Sequence, residues 1–482
     1  MKSPNNAALA AAEAMEGRGG AKGNAVRGST CQTQSWENVS LALDRIRATA
    51  RREKRVRFTA LLHHVTVDLL HWSFHQLKRQ AAAGVDGVTW EQYEEGLERN
   101  LENLCGRVDR GAYRAKPSRR QYIPKPDGRQ RPLGIASLED KIVQRAVGEI
   151  LNAIYEMDFL GFSYGFRPGR SQHDALDALA TAIYRKKVNW ILDADIQAFF
   201  DTVSWEWLMR FLEHRIADRR LLRLIGKWLK AGVLEDGRLL TVERGTPQGA
   251  VISPVLANIY LHYVYDLWVQ QWRRRNEGEV IVIRYADDTV VGFQRRSDAE
   301  RFLDELRQRL QKFGLALNPQ KTRMIEFGRF AERNRKAQGL GKPATFGFLG
   351  FTHICGTNKR GGYLILRHTI RKRLREKVRE VKETMLRMMH RPIEEQGLHL
   401  KRVMNGYFNY FAVPTNSRAI NAFYYHVTWY WCRALRRRSQ THRLTWERMQ
   451  RLIALWLPPA RLRHPLPDVR FSVMTRGGSP VR

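Results

Sequence analysis

Three acidic residues carry the clearest chemical signal in this sequence of 482 residues. Asp287 and Asp288 are adjacent, and Asp195 stands in a separate segment well before them. Carboxylate oxygens are the ligands that Mg²⁺ takes in proteins, together with phosphate oxygens of a substrate. Two such ions, roughly 3.5–4 Å apart, can stabilise both the attacking and the leaving oxygen of a phosphoryl transfer. The three acids therefore predict a two-metal site, although adjacent aspartates on their own are also common in turns.

The residues around these acids are typical of β-strands. Two β-branched runs within residues 280–293 enclose the adjacent pair and predict a hairpin with both carboxylates at its tip. A further apolar run, residues 189–196, contains Asp193 and Asp195 on one strand face, because side chains alternate along a strand. Burying an unpaired carboxylate is costly. We therefore expect Asp195 to bind metal, and Asp193 and Asp201 to pair with arginines.

Six motifs occur in order along the chain. They are Ala-Gly-Val-Asp-Gly-Val-Thr at 83–89, Ile-Pro-Lys-Pro-Asp-Gly through Arg-Pro-Leu-Gly-Ile at 123–135, Phe-Ser-Tyr-Gly-Phe-Arg-Pro-Gly-Arg-Ser at 162–171, Asp-Ile-Gln-Ala-Phe-Phe-Asp at 195–201, Gly-Thr-Pro-Gln-Gly through Ser-Pro-Val-Leu-Ala-Asn at 245–258, and Tyr-Ala-Asp-Asp at 285–288. In this order they resemble the group II intron-encoded reverse transcriptase/maturase family. The resemblance extends from about residue 60 to about residue 460, with further similar blocks at 317–322 and 346–351.

The resemblance implies the site residues of an RNA-directed DNA polymerase. Asp195, Asp287 and Asp288 would be catalytic and would hold two Mg²⁺ ions together with Ile196. The residues implied to bind the incoming nucleotide are Lys125, Arg131, Phe200, Gln248 and Lys321.

Physical chemistry supports part of this nucleotide site. Lys125 would meet a triphosphate as a point charge and Arg131 as a planar fork of donors, although basic residues are also ordinary solvated surface residues. An aromatic wall at Phe200 would clash with a 2′-hydroxyl and favour deoxynucleotides; core packing is the alternative. Gly245 and Gly249 permit close backbone approach in their loop.

The predicted fold class is α+β: a right-hand polymerase, in which fingers and palm combine an antiparallel sheet with packed helices, followed by an α-helical thumb/maturase (X) domain. Apolar residues at helical spacing predict a helix with Ser253 as its N-cap and Leu267 on its buried face. A second helix is expected to start with a capping box at Ser297 and Glu300 and to stop at Gly314.

The chain is expected to divide into four segments. These are a disordered basic leader at 1–48, the reverse transcriptase fingers and palm at 49–360, the helical thumb/maturase domain at 361–440, and a short basic nucleic-acid-binding appendage at 441–482.

The charge of the chain indicates polyanionic partners. Lysine and arginine total 83 against 48 acidic residues, a formal net charge of +35. Phosphate backbones are the partners that such an excess favours, although a basic helix face can also be merely solvated. The residues predicted to contact nucleic acid are Arg371, Arg375, Lys382, Tyr407, Arg436, Arg437 and Arg438. Of the aromatic residues at 423–431, most are expected in the core and a minority to stack on RNA bases.

The resemblance implies four kinds of partner: group II intron RNA, a DNA target, a primer-template duplex and deoxynucleoside triphosphates. Whether two copies form a homodimer is left open. No run of about 18 apolar residues could span a membrane, and residues 1–30 contain no signal-peptide core. We therefore expect no membrane partner and a cytoplasmic location. The four cysteines form no Cys-x-x-Cys pair, so the C-terminal HNH endonuclease of many relatives is expected to be lacking.

The predicted function is that of a group II intron RNA-directed DNA polymerase, a nucleotidyltransferase that also binds the intron RNA, assists its splicing as a maturase and supports intron mobility by reverse transcription at the DNA target. One alternative is a splicing chaperone without polymerase activity, against which the intact acids and Lys125, Arg131 and Gln248 argue. The other is a reverse transcriptase of this lineage recruited to phage defence or DNA repair, which polymerase residues do not distinguish.

Overall fold

A computed structural model describes residues 30–124, 130–235, 237–240, 243–246, 249–438 and 444–474. This part of the chain combines many helices with three sheets, so the prediction of a mixed α and β fold is confirmed. The strands are β1 Ser118–Pro124, β2 Gln130–Ile135, β3 Trp190–Asp195, β4 Val233–Glu235, β5 Arg238–Leu240, β6 Val280–Tyr285, β7 Asp288–Phe293, β8 Arg323–Glu326, β9 Phe346–Phe348, β10 Phe351–Thr357 and β11 Tyr363–Thr369.

The α-helices before the last sheet are α1 Thr30–Arg52, α2 Val67–His75, α3 Trp90–Glu94, α4 Leu97–Asp109, α5 Leu138–Tyr155, α6 Gln172–Arg185, α7 Phe199–Thr202, α8 Trp205–Glu213, α9 Arg219–Lys230, α10 Ser253–Leu261, α11 Leu267–Arg275, α12 Arg296–Gln311 and α13 Ala331–Ala337. Those after it are α14 Arg371–Arg387, α15 Ile393–Phe411, α16 Ser417–Arg436, α17 Trp446–Trp456 and α18 Pro467–Met474. A 3₁₀ turn spans Leu62–His64, and a π-helical turn spans His262–Asp266 between α10 and α11.

The sheet that carries the three acids lies between two layers of helices. Its strand order is β6-β7-β3-β8, and all neighbours are antiparallel. Val282 and Val291 face a core shared with α12, whereas Ile283 and Val290 face a second core shared with α6. Strands buried on both faces have no solvated side, which explains their continuous β-branched runs.

Two predicted hairpins are confirmed. β6 and β7 pair so that Tyr285 faces Asp288, which leaves a turn of two residues. β1 and β2 pair from Arg119 opposite Ile135 to the loop end of the hairpin. A third hairpin joins β9 to β10 through Leu349 and Gly350, both at positive φ.

The helix predicted from Ser253 forms, but its phase changes part-way. Ser253 is its first helical residue rather than the cap, and the π turn interrupts it after Leu261. A π turn inserts one residue into the helical repeat. As a result Asp266 is fully buried and Leu267 is exposed, so the prediction that Leu267 packs inside is wrong.

Helix α12 begins one residue before the predicted capping box. Its first residue is Arg296, Arg295 occupies the cap position, and no side chain caps the helix. The capping-box prediction is therefore wrong, because the chain leaves β7 directly into the helix. The predicted stop is confirmed, since Gly314 adopts φ 71 just after the helix.

The predicted leader boundary is also wrong. Helix α1 packs on α5, and its Val39, Leu43 and Ile46 side chains are buried in the main core. An amphipathic stripe was therefore missed in a segment whose composition resembles a linker. Residues 1–29 lie outside the described part of the chain.

Two boundaries near the C-terminal end need correction. β11 runs to Thr369 and pairs with β10, so the helical region starts at Arg371 rather than at residue 361. The described residues 444–457 are not a separate appendage, because Met449 is buried in the core of α14–α17. Arg470 reaches α6, where its Nε lies 3.2 Å from Oδ2 of Asp177. Among the described residues, every helix is either too short or too polar to span a bilayer.

Candidate functional site

Strand pairing brings the three predicted acids together. In the register of β3 and β7, Asp195 lies directly opposite Asp288. Asp287 occupies the turn that joins β6 to β7, immediately before Asp288. Residues opposite each other in an antiparallel pair have Cβ atoms about 4.5–5.5 Å apart. The sheet thus gathers carboxylates that the sequence keeps far apart.

The acids perturb one another. Desolvation within the site, followed by repulsion from Asp287, Asp195 and Asp193, raises the pKa of Asp288 to about 7. Desolvation and the charge of Asp195 likewise raise the pKa of Asp287. The Asp288 side chain is nevertheless accessible to solvent, so water and small ions can reach it. Raised carboxyl pKa values from close like charges are typical of functional sites.

Asp195 is held by two neighbours from the segment after α12. Lys321 Nζ lies 3.1 and 3.0 Å from its two carboxylate oxygens, and Asn318 Nδ2 donates to Oδ2 at 3.2 Å. The backbone amide of Asn318 also donates to the Asp195 carbonyl at 2.8 Å. Lys321 thus lies at the acidic site, and its predicted contact with the nucleotide stays a prediction. Asn318 was not predicted at all, although it belongs to the same sequence block.

The expected partner of Asp193 is confirmed. Arg323 on β8 lies opposite it, with Nη2 at 3.6 Å from Oδ2 of Asp193. Desolvation outweighs this partner, so the pKa of Asp193 is raised to about 6. Asp201 is exposed at the short helix α7, and its pairing with an arginine stays a prediction.

The donor set suits a hard cation. Carboxylates accept without donating, and a bound cation would relieve the repulsion that raises their pKa values. In the described part of the chain, however, no three Asp, Glu, His or Cys side chains already surround one point closely enough to form a finished metal site. Lys321 is the positive charge nearest to Asp195 there. The Ile196 side chain is buried, so only its backbone could contribute to a metal site.

The turn that carries Asp287 is conformationally demanding. Ala286 has φ 55, a left-handed conformation that costs about 1–3 kcal/mol for a residue with a side chain. Gly165 lies against it so closely that a Cβ there would stand 2.3 Å from the Ala286 nitrogen. Arg284 Nη1 donates to the Ala286 carbonyl at 2.9 Å. Such strain persists only where the surroundings impose it.

Part of the predicted nucleotide site can be located. Arg131 on β2 is close enough to Asp287 to lower the pKa of that carboxyl against the stronger effect of burial. Phe200 is half-buried beside Phe199, with ring centroids 5.5 Å apart. Its carbonyl accepts from the Thr246 amide at 2.7 Å, which ties the glycine loop to this segment.

The glycines of that loop behave as predicted. A Cβ on Gly245 would stand 2.9 Å from the Phe200 carbonyl oxygen, and one on Gly249 would stand 2.9 Å from the Gly134 carbonyl oxygen. Both have positive φ. Lys125 and Gln248 lie outside the described residues.

The predicted nucleic-acid residues divide into two groups. Those exposed on the surface are Arg371, Arg375, Lys382, Arg436 and Arg437. Tyr407 is buried, and its ring stacks on Phe423 with centroids 3.8 Å apart. The prediction that Tyr407 contacts nucleic acid is therefore wrong, because its side chain is covered in the folded protein. Arg438 is half-buried and donates through Nε to the Met389 carbonyl at 2.6 Å, which closes the end of α14. Its contact with nucleic acid stays a prediction.

Comparisons with known proteins identify relatives of this chain. Residues 123–353 match the family described as "Reverse transcriptase (RNA-dependent DNA polymerase)". Protein YkfC from Escherichia coli K12 is 37% identical over 272 residues, which are 50% of this chain and 71% of YkfC. Group II intron-encoded protein LtrA from Lactococcus lactis is 34% identical over 239 residues, which are 49% of this chain and 39% of LtrA. The chain belongs to the family of group II intron-encoded reverse transcriptases.

Membership of this reverse transcriptase family implies a divalent metal ion and nucleic-acid partners. An uncharacterized 91 kDa protein in the cob intron of Schizosaccharomyces pombe is 46% identical over 146 residues, 30% of this chain and 18% of that protein. The chain thus spans well under half of the lengths of LtrA and the cob-intron protein.

Proposed function

We propose that this chain is an RNA-directed DNA polymerase that uses Mg²⁺ and that also binds group II intron RNA to assist splicing. The observation that carries the polymerase activity is the register of Asp195 opposite Asp288, with Asp287 beside them in the turn. Three mutually repelling carboxylates in a family of reverse transcriptases have a clear chemical use, which is to concentrate negative charge where cations and phosphates meet.

The three aspartates would hold the metal ions, which when bound supply positive charge to the primer 3′-hydroxyl and the triphosphate. The protein itself supplies orientation, since phosphoryl transfer depends mainly on positioning and charge. Arg131 stands beside Asp287 and would take phosphate oxygens with its planar fork. Phe200, fixed by the glycine loop, would form the wall under the deoxyribose.

We further propose that the sheet and its helices form the fingers and palm of a right hand, and α14 the thumb. Exposed Arg371, Arg375 and Lys382 on α14 would follow the phosphate backbone of the primer-template duplex. The adjacent face of this helix buries Val381 and Met385 in the helical core. One basic and one apolar face suit a helix that packs on protein and contacts a polyanion.

We propose that intron RNA contacts the exposed face of α16, and that Tyr407 makes no such contact. Helix α16 contains no acidic residue, and it exposes 63% of Tyr425 and 41% of Trp429. The guanidinium carbon of Arg433 lies 5.0 Å from the Trp429 ring centroid, and Lys382 Nζ lies 5.9 Å from that of Tyr430. Exposed aromatic rings with adjacent cations can stack on unpaired bases.

Primer extension on an RNA template tests the polymerase. With a DNA primer, deoxynucleoside triphosphates and Mg²⁺, we expect the purified wild-type protein to extend the primer. Asp287→Asn should lower the rate by about 10³-fold, because a charge centre at the reacting groups is lost. The matched control is Asp304→Asn, whose side chain is 68% exposed on α12 and should have no effect. Absence of product from the wild-type protein, or equal rates for both variants, would refute the polymerase.

Experiments on the same preparations distinguish the two alternative functions from the proposed one. A splicing chaperone without polymerase activity would accelerate splicing of a bound group II intron but yield no extension product. An enzyme recruited to phage defence or DNA repair would extend primers, yet sequencing of co-purified RNA would return no self-splicing intron. Both activities together, with intron RNA in the purified fraction, are the outcome we expect.

A further inference from the structure

Arg284, near the end of β6, has a buried side chain with a buried acidic partner. Only 1% of the Arg284 side chain and none of the Asp266 side chain is exposed. Arg284 Nε donates to Oδ1 of Asp266 at 2.7 Å, and Nη2 donates to Oδ2 at 2.6 Å. This bidentate geometry fixes the plane of the guanidinium. Its remaining donors are consequently aimed in one direction.

Those donors reach the turn that carries Asp287. Arg284 Nη1 donates to the Ala286 carbonyl at 2.9 Å and to Oδ1 of Asn258 at 3.1 Å, while Nη2 also donates to Oγ of Ser163 at 2.7 Å. The carbonyl of Ala286 belongs to the peptide that leads into Asp287. A rigid group is therefore bonded to the backbone immediately before the paired acids.

The π turn explains how Asp266 reaches this position. Asn258 and Asp266 both contact Arg284, from α10 and from the last residue of the π turn. In a regular α-helix Asp266 would be rotated by one residue position, about 100° around the helix axis, away from Arg284. π turns are rare and are frequently found at functional sites.

The other side of the turn is closed by the segment at Gly165. The Ser163–Gly165 backbone runs beside β6, with the Tyr164 amide donating to the Arg284 carbonyl at 2.8 Å. Asn258 Nδ2 donates to the Gly165 carbonyl at 2.7 Å, so one asparagine joins this segment to the guanidinium. The left-handed Ala286 is thus held between a glycine backbone and an arginine side chain.

We propose that Arg284 is a positioning residue for the polymerase site: its guanidinium, oriented by Asp266 of the π turn, holds the Ala286 carbonyl and keeps Asp287 and Asp288 presented toward Asp195. This rests on the proposed polymerase activity. A purely structural role would stabilise the fold and leave the turn unaffected. The hydrogen bond from Arg284 to the Ala286 carbonyl is the contact that distinguishes a positioning role from a purely structural role.

The test compares two identical substitutions at buried arginines. Arg284→Lys keeps the charge but removes the fork. The control is Arg367→Lys, because Arg367 is 2% exposed and donates through Nη1 to Asp177 at 2.6 Å, and within the described residues it makes no hydrogen bond to the turn. We measure kcat and KM for single-nucleotide addition, Kd for the primer-template duplex, Tm, and amide hydrogen exchange of the peptide containing residues 285–289.

Arg284→Lys should lower kcat by about 10²-fold, the effect of misplacing a reacting group by about 1 Å, with KM and Kd changed less than about twofold. Exchange in the 285–289 peptide should become faster. Arg367→Lys should lower Tm to a similar extent without altering kcat or the exchange rate of the 285–289 peptide. If both variants lose activity only in proportion to Tm, and exchange at the turn is unchanged, the positioning role is wrong.

A second variant covers the case in which Arg284→Lys does not fold. Ala286→Gly leaves the arginine network in place but frees the turn, since glycine adopts left-handed conformations readily. We expect faster exchange at 285–289 and lower kcat, with a Tm no lower than that of the wild type because glycine removes the cost of the left-handed conformation; no change in exchange would overturn the proposal. Exchange is measured without catalysis, so an inactive wild-type protein would refute the proposed polymerase and still leave the constraint on the turn testable.

Discussion

The Lys321 ammonium lies 3.1 and 3.0 Å from the two carboxylate oxygens of Asp195. The same charge favours the ionised forms of Asp287 and Asp288, against the desolvation and mutual repulsion within the site that raise their pKa values. Lys321 is therefore part of the acidic site. Its side chain is 57% exposed, which leaves it free to exchange this contact for a phosphate when substrate arrives.

Removal of this charge should shift the pH dependence of polymerisation. Without Lys321, the pKa values of Asp287 and Asp288 rise further, so the carboxylates become protonated at higher pH. Lys321→Met should reduce the rate at about pH 6.5 several-fold more than the rate at about pH 8. The exposed Lys312 on the loop after α12 provides the control, and Lys312→Met should leave the profile unchanged. Parallel losses at all pH values would instead indicate a role in substrate binding alone.

The acidic site should also cost stability at neutral and alkaline pH. Folded Asp288 has a pKa of about 7, whereas the unfolded chain releases this proton near pH 3.9. The folded state binds more protons between these values, so the free energy of unfolding falls as pH rises through this window. Asp288→Asn should raise Tm in EDTA more at about pH 8 than at about pH 5. Asp304→Asn, on an exposed helix face, should show no such difference, and an equal gain at both pH values would contradict the prediction.

Gly165 should tolerate no side chain. A Cβ would stand 2.3 Å from the Ala286 nitrogen and 2.9 Å from the Tyr285 carbonyl carbon, both of which are backbone atoms that can only move with the turn. Gly165→Ala should lower kcat by about 10²-fold. Gly148 in helix α5 meets no atom within 4 Å, so Gly148→Ala should keep activity and add about 0.5–1 kcal/mol of stability. Equal activities would show that the turn adapts.

Two arginines near the C-terminal end should have separate roles. Arg470 pairs with the buried Asp177, which also binds Arg367, so Arg470→Ala should lower the free energy of unfolding by about 1–3 kcal/mol in urea titrations. RNA affinity should stay the same. Arg437 is exposed, and Arg437→Ala should weaken RNA binding and reduce its salt dependence without changing stability. The opposite result, in which Arg470→Ala weakens RNA binding and Arg437→Ala lowers stability, would support the nucleic-acid-binding appendage that the sequence predicted.

The aromatic face of α16 should contribute to RNA affinity. Trp429→Ala should weaken binding of single-stranded RNA by about 1–3 kcal/mol, the usual effect of removing one stacked base contact. Trp446, 53% exposed at the start of α17 and followed by Glu447, is the matched control. We expect Trp446→Ala to bind RNA as the wild type does. Fluorescence anisotropy with a labelled oligonucleotide gives both affinities, and equal values would exclude Trp429 from the interface.

Local sequence patterns predicted the structure correctly where residue type and strand periodicity indicated the same element. β-branched runs beside Asp287 and Asp195 predicted the strands, and the predicted hairpin formed, with Tyr285 and Asp288 as its last pair before the turn. The arginine partner of Asp193 followed from the cost of a buried charge. Capping at Ser297 failed, since a short motif competes with the constraint of a strand that ends directly beside it.

By itself the sequence determined which residues are acidic, which runs form strands and which family the motifs resemble, because these depend on local periodicity and residue type. Only the tertiary structure decided that Asp266 lies in the core and Leu267 outside it, that Tyr407 is covered by Phe423, and that Lys321 contacts Asp195. The π turn, the stacked rings and the ion pair each depend on segments distant in sequence. No local pattern specifies which of those segments will meet.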